Sequence, residues 1–256
     1  MNIKRLLFTL ACLAVITAVA QEKSVMKVEY VEKYHNWTDA SINSKKFLLL
    51  APGKSHYYSP IARIVDLMLS TSEGTEHFNG MVHADNERGE RPSLLPDDRT
   101  YVIKDFSCGS ISFYGEVPDF FGHYEEPMTE QHWTLTDSTA TILGYKCNMA
   151  QTDYHGRRWH AWFTPEIPFS DGPWKFCGLP GLILLVTDSD NKYRFEATVV
   201  DFTEIVFPVN LYGHENSRMA TRLEMLRNEW EFYNFPHFGL PAELPDGFDL
   251  TETDYK

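Results

Sequence analysis

The chain has 256 residues, 36 acidic and 23 basic, for a net charge of −13. That balance argues against nucleic-acid binding, because phosphate backbones reward lysine and arginine patches. Apolar residues make up 43 % and aromatics 14 %, enough for a sizeable core, and the length suits one β-rich domain.

The chain begins with a leader pattern. Lys4-Arg5 is a positive start, and Leu6 to Val19 is apolar apart from Thr9 and Thr17. Ala18-Val19-Ala20 then puts small residues at −3 and −1 before Gln21. This predicts a secretory signal peptide over 1–20, a mature domain over 21–256 and a periplasmic or secreted location. A lipoprotein signal modified at Cys12 is the rival reading; it is disfavoured by Thr9, where leucine is expected, and by the apolar run continuing past the cysteine. The run is too short for a spanning helix. Without Lys4 and Arg5 the mature chain keeps 21 basic against 36 acidic residues, net −15. It also keeps three cysteines, Cys108, Cys147 and Cys177, enough for one bridge and one free thiol in an oxidising compartment.

Met26 to Tyr30 alternates as a first strand, and Lys46 to Leu50 is a second apolar run ended by Ala51-Pro52-Gly53. His56 to Ser59 reads as a third strand. Pro60 then opens a short helix carrying Ile61, Ile64, Val65 and Met68 at helical spacing. Residues 70–99 are polar and rich in Gly, Asp and Glu, and read mostly as loop. Thr100–Lys104 and Ser110–Tyr114 read as strands, and 116–127 as an aromatic loop over the sheet. Trp133–Thr136 is a strand. Tyr145–Asp153 and Arg157–Thr164 read as a hairpin turning at His155-Gly156, with Trp159 and Phe163 on one face and Trp162 on the other. Asn216-Ser217 is placed to cap an amphipathic helix with Met219, Leu223, Leu226 and Trp230 on its apolar side.

The organising stretch is Gly172 to Val186. Pro180 and Gly181 occupy the centre of Leu179-Pro180-Gly181-Leu182, which predicts a type II turn. Leu182 to Val186 follows as a strand buried on both faces. Tyr193, Phe195, Ala197 and Val199 alternate with polar residues, so the two runs read as an antiparallel hairpin. Gly178-Leu179-Pro180-Gly181-Leu182-Ile183 resembles the signature of the GLPGLI family, exported proteins of Bacteroidetes. The resemblance extends over roughly 133–200, through Trp133, Ile142 to Cys147, Gly156-Arg157 and Ala161 to Pro168. It implies export, and no reaction, cofactor or catalytic residue comes with it.

Catalytic patterns are sparse. There is no Gly-x-Ser-x-Gly elbow, Cys-x-x-Cys or His-Glu-x-x-His. Ser110 is isolated, and Cys177 reads as a bridged or buried thiol rather than a nucleophile. Asp153, His155 and His160 near the hairpin turn read as exposed turn residues rather than metal ligands. Asp188-x-Asp190 lacks the rest of a calcium loop, and the pairs Asp97-Asp98 and Glu125-Glu126 read as solvated. Catalytic residues, cofactors and metals are therefore not assigned. A disulfide between Cys147 and Cys177 is expected, joining the hairpin to the Gly178–Gly181 turn; the competing reading has Cys177 as a buried free thiol and Cys108 bridged instead. Trp159, Trp162 and Phe195 are the expected lining of a ligand face.

The fold expected is mainly β: one curved antiparallel sheet with a C-terminal helix, loosely similar to periplasmic half-barrels of the lipoprotein-carrier (LolA-like) kind. The function expected is a non-enzymatic exported protein that binds a hydrophobic ligand or an envelope partner. A periplasmic hydrolase with dispersed Asp, Glu and His residues is the alternative, and a structural envelope protein the third reading.

Overall fold

The computed structural model describes residues 22–35, 41–90, 99–117, 120–213, 216–234 and 250–254. The leader read over 1–20 lies outside them. Period-two alternation builds the framework: in β1 (Met26–His35) the side chains of Met26, Val28 and Tyr30 are fully buried while Lys27 and Glu29 are not. The other strands are β2 (Ser41–Ala51), β3 (Lys54–Tyr58), β4 (Tyr101–Asp105), β5 (Ser110–Val117), β6 (Phe120–Pro127), β7 (Thr134–Ile142), β8 (Tyr145–Tyr154), β9 (Arg157–Thr164), β10 (Leu182–Asp188), β11 (Arg194–Asp201) and β12 (Arg218–Met219). The helices are α1 (Pro60–Leu69), α2 (Ser72–Glu87) and α3 (Arg222–Asn234). Among the described residues no helix is long and apolar enough to cross a membrane.

Among the described residues all twelve strands join one sheet in the order β12-β6-β5-β4-β3-β2-β1-β11-β10-β9-β8-β7. Every pairing is antiparallel except the short β12–β6 contact. In a flat sheet β6 and β8, nine strand positions apart, would be separated by roughly 40 Å. Yet Tyr154 of β8 donates a hydrogen bond of 2.7 Å to Glu126 of β6. The sheet therefore bends until its two ends meet. Register shifts at Glu29/Tyr30, Ile183/Leu185 and Leu135/Thr139 mark irregular points, the kind of local defect that bends strands.

Each face is covered. On the inner face lies the segment 165–181, a plug whose Trp174, Phe176, Cys177 and Leu179 join the main core with Trp159, Phe163 and Phe195. On the outer face of β2–β4 sit α1 and α2, where Leu49, Tyr58 and Tyr101 meet Ala62, Val65 and Phe78, while α3 packs on β5 and β6 through Met225. This explains the run Leu48-Leu49-Leu50: neighbouring residues face different cores, and both are dry.

Several expectations change. The loop expected across 70–99 is helical over Ser72–Glu87. Thr71 caps it by accepting from the Gly74 N–H at 3.0 Å, and Phe78 packs edge-on against Tyr212. That burial outweighs the roughly 1 kcal/mol cost of each of Gly74 and Gly80. The aromatic loop expected at 116–127 is β6, paired with β5 from Ser110↔Pro127 to Val117↔Phe120. Gly122 makes this possible: a Cβ there would lie 2.6 Å from the Phe120 ring and 3.1 Å from the Met225 sulfur. The C-terminal helix starts at Arg222, not after Asn216-Ser217, with Thr221 accepting from the Glu224 N–H at 3.1 Å. Met219 falls on β12 and is exposed, while Met225, off the expected apolar stripe, is the side chain that is buried.

The Leu179–Leu182 turn is tighter than type II. Gly181 N–H donates back to the Leu179 carbonyl at 2.8 Å, and Leu182 N–H goes to Ile167. Gly181 has φ +149° and its missing Cβ would sit 2.1 Å from the Thr164 oxygen. The bridge expected between Cys147 and Cys177 is not formed: both are free and buried, and Cys108 is free and exposed. Cys147 lies on β8, whereas Cys177 is held in the plug, its N–H donating to Gln131 at 3.0 Å.

Gly181→Val is expected to lower stability by at least about 1–3 kcal/mol, the typical cost of a strained backbone position, with the steric clash adding to it; a denaturant midpoint equal to wild type would contradict this. Thiol titration of the folded mature protein should label Cys108 alone, with Cys147 and Cys177 reacting only after unfolding without reductant. A bridge would leave those two silent in the unfolded chain.

Candidate functional site

Where the sheet's ends meet, five segments converge on a buried charge cluster. Lys175 projects from the plug with no exposure. It donates to Tyr124 Oη at 2.7 Å and to Glu126 at 3.3 Å, both on β6, and pairs with Glu252. The rings of Tyr124, Trp174 and Phe113 lie 4.9, 4.9 and 5.3 Å from its ammonium. Arg222, in the first turn of α3, donates to Glu252 at 2.6 Å and grips Asp254 through two nitrogens at 2.7 and 2.8 Å.

His155 completes the cluster. It and Gly156 form the two-residue turn of the β8–β9 hairpin, with φ +51° and +81°, as a primed turn requires. The turn aims the imidazole inward: Nε2 lies 3.3 Å from Glu126 and Nδ1 3.5 Å from Asp254. The hairpin expected at this position is present. The exposed character expected of His155 is not, since the residue is buried. The same holds for Glu126, buried while its neighbour Glu125 is exposed.

Burial alone would raise the Glu126 carboxyl. The Lys175 charge and the hydrogen bonds from His155 and Tyr154 outweigh it and bring the pKa from 4.5 to about 2. Asp254 is also lowered: partial burial pushes it up, and the Arg222 guanidinium more than compensates. Tyr124 and Tyr154 are held well above the usual phenol range by burial and then by neighbouring carboxylates. Cys177 is pushed up to about 12, chiefly by burial, so its thiol is a poor nucleophile at neutral pH.

His155, Glu252 and Asp254 bring ligand-type atoms within 4.8 Å of one another. A cation there would compete with Lys175 and Arg222, which already neutralise the same carboxylates. The other metal candidates separate: Asp153 is exposed and bound by Arg158 at 2.8 and 2.9 Å. Asp188 is buried, accepting from Arg157 at 3.2 Å and from the Tyr193 N–H at 2.9 Å.

The expected ligand-lining residues do not share an open face. Trp159 is fully buried, with Phe176 4.9 Å away edge-on and Phe195 6.1 Å away. Trp162, on the other side of β9, is half-buried. An open cleft of about 640 Å³ lies elsewhere, with Lys54, His56, Asp105, Ser112, Tyr114 and Glu125 on strands β3–β6 and Pro208, Val209 and Leu211 beside them. Gly178, Leu179, Pro180 and Gly181 anchor the far end of the plug, with the Leu179 carbonyl accepting from Ser170 at 2.6 Å. From the sequence Glu126 reads only as half of a solvated pair, and Lys175, Arg222 and Glu252 are not singled out. An uninterrupted aromatic-lysine-aromatic run, Trp174-Lys175-Phe176, was the one local signal of a buried charge.

The match to a known family falls on this region. A family described as a protein of unknown function (Porph_ging) matches residues 155–185, from the His155 turn through the plug into β10. It lies within the stretch that resembles GLPGLI proteins, and that designation stands as a resemblance. No curated protein matches the chain. Among solved structures, PNGF-II is similar in two crystal forms, each at 14 % identity and TM-score 0.53, covering 81 % and 84 % of this chain. The similarity concerns fold alone, and this chain spans about a third of PNGF-II, 33 % and 34 % in the two forms. The LolA superfamily protein NE2245 from Nitrosomonas europaea aligns over 73 % of this chain and 88 % of its own at 7 % identity, with a TM-score of 0.27, too low to support an argument.

Because its folded pKa is depressed, Glu126 contributes stability that is fully present above about pH 4.5 and is lost as pH falls toward about 2. The urea midpoint of the wild-type protein should fall through that window. Glu126→Gln should be less stable at neutral pH and flatter between those limits. Parallel pH profiles for the two proteins would contradict the assignment.

Proposed function

We propose that this chain is an exported, non-enzymatic binding or envelope-assembly protein that engages its partner from outside a half-barrel-like sheet. The observation that carries this reading is the filled inner face. Trp174, Lys175 and Phe176 occupy the space that a carrier of apolar molecules would keep open. A hydrophobic ligand would have to displace the plug and separate Lys175 from its carboxylates. The acid and base groups at the closure are also committed to one another, and a carboxylate with a pKa of about 2 is a weak general base at neutral pH.

A hydrolase is the second reading. It is favoured by His155 standing between Glu126 and Asp254, with Asp254 about one-third exposed. Export is the location that the leader pattern supports.

Native mass spectrometry of protein purified from its source tests the reading. A mature chain beginning at Gln21, without a retained small molecule, is expected, and crosslinking beforehand should add the mass of a protein partner. A diacylated Cys12 would overturn the soluble location. A co-purifying lipid would overturn the filled interior as the working state. Hydrolysis of a model ester or peptide that vanishes in His155→Gln would favour the enzyme.

A further inference from the structure

Residues Leu250–Asp254 are seated in the charge cluster as a peptide would be. Arg157 donates to the carbonyls of Leu250 at 2.7 Å and Thr251 at 3.0 Å. Thr253 N–H donates to the His155 carbonyl at 3.0 Å, and its hydroxyl to Gly156 at 2.9 Å. Lys175 and Arg222 take Glu252, and Arg222 takes Asp254. Leu250 and Glu252 are buried while Thr251 and Thr253 are less so, so alternate side chains enter the site.

Most of the receiving groups are held by partners outside the segment. Arg157 is fixed by Asp188 at 3.2 Å and lies 4.8 Å from the Tyr193 ring centre. Lys175 is fixed by Tyr124 and Glu126, and His155 by Glu126. Gly156 leaves room for close approach, because a Cβ there would lie 2.4 Å from the Thr253 hydroxyl. A site whose donors are already placed loses little freedom when it takes a ligand. Set against Glu126 and Asp188, the cations Arg157, Lys175 and Arg222 leave one positive charge in excess once the segment is set aside, on a chain of net charge −13, which favours an acidic peptide.

We propose that His155, Gly156, Arg157, Lys175 and Arg222 form a recognition socket for an acidic Leu-x-Glu-x-Asp peptide, and that its occupant in trans is residues 250–254 of a second copy of this chain. The one sequence seen to fit is the chain's own. Fifteen residues, 235–249, separate the segment from the end of α3, a connection that spans up to about 50 Å when extended and can reach a neighbouring copy. The inference rests on reading the chain as a binding or assembly protein and names the partner chemistry of that same site.

The test uses the full mature chain carrying Glu252→Gln and Asp254→Asn, titrated with a fluorescent peptide of sequence 248–256. Saturable binding is expected. It should be at least about tenfold weaker to wild type, whose own segment competes at an effective concentration of order millimolar, and at least about tenfold weaker for a peptide carrying the same two substitutions. No binding up to about 1 mM by a folded variant would overturn the socket. If the variant does not fold, wild type carrying a protease site within 235–249 is cut after folding; exchange of the cut segment for labelled peptide supports the socket, and failure to exchange overturns it. Mixing the Glu252/Asp254 variant with an Arg222→Gln chain that keeps its segment should give heterodimers by sedimentation. Peptide binding without heterodimers would overturn the second copy as occupant. Failure of either arm leaves the exported binding reading to be judged separately by native mass.

Discussion

The structure depends on how the buried amino group of Lys175 is partnered. Transferring an ammonium into a protein interior costs several kcal/mol unless it is paired and hydrogen-bonded. Lys175 has no exposure and lies among three aromatic rings. Its partners come from β6 and from the C-terminal segment, 49 and 77 residues away in sequence. Placing this one side chain therefore requires the plug, one end of the sheet and the C-terminal segment to meet. Tyr154 and His155 bring the other end of the sheet to the same carboxylate.

The plug raises the same problem along its backbone. An irregular segment inside an apolar shell must still satisfy its carbonyls. Lys104, also without exposure, reaches in from β4 to pair with Asp171 and donates to the carbonyls of Gly172 at 2.7 Å and Phe176 at 3.1 Å. Gln131 donates to the Lys175 carbonyl at 2.8 Å, and Trp133 to that of Cys177 at 2.7 Å. Polar side chains thus replace the ladder that a strand would have had. The aromatic content that suggests a ligand face in the sequence is the material of this filling. Charge pairing within the cluster ties the plug, both ends of the sheet and the C-terminal segment together, and the socket proposed for an acidic peptide is built from the same pairs.

Much of the fold was legible. Alternation marked β1, β9 and the start of β11; Val199, expected on the buried side with Phe195 and Ala197, is exposed, and in β8 the buried face switches from Cys147 to Ala150, Thr152 and Tyr154. Pro60 opened α1, and His155-Gly156 turned the hairpin as expected. These signals are local: a strand's facing pattern or a turn's φ is decided within a few residues. Other elements were legible only in part. Gly74 and Gly80 made α2 look like loop, and Pro118 and Gly122 did the same for β6, because both elements owe their regularity to neighbours that bury Phe78 or pair with β5. Gly181 showed that the Leu179–Leu182 turn needed a glycine. The contact that requires it, with the Thr164 carbonyl, comes from β9.

By itself the sequence determined the β-rich class, the faces of β1 and β9 and the His155-Gly156 turn, all of which follow from residue period and short-range sterics. Only the tertiary structure decided that the sheet bends until β6 meets β8 and that 165–181 fills it. It also decided that Glu126, His155, Lys175, Arg222 and Glu252 form one site. Each of these residues alone reads as an ordinary surface charge, or as a turn residue in the case of His155. Their burial and pairing depend on contacts between segments up to about a hundred residues apart, and no spacing within the chain encodes which charges will face one another when the sheet closes.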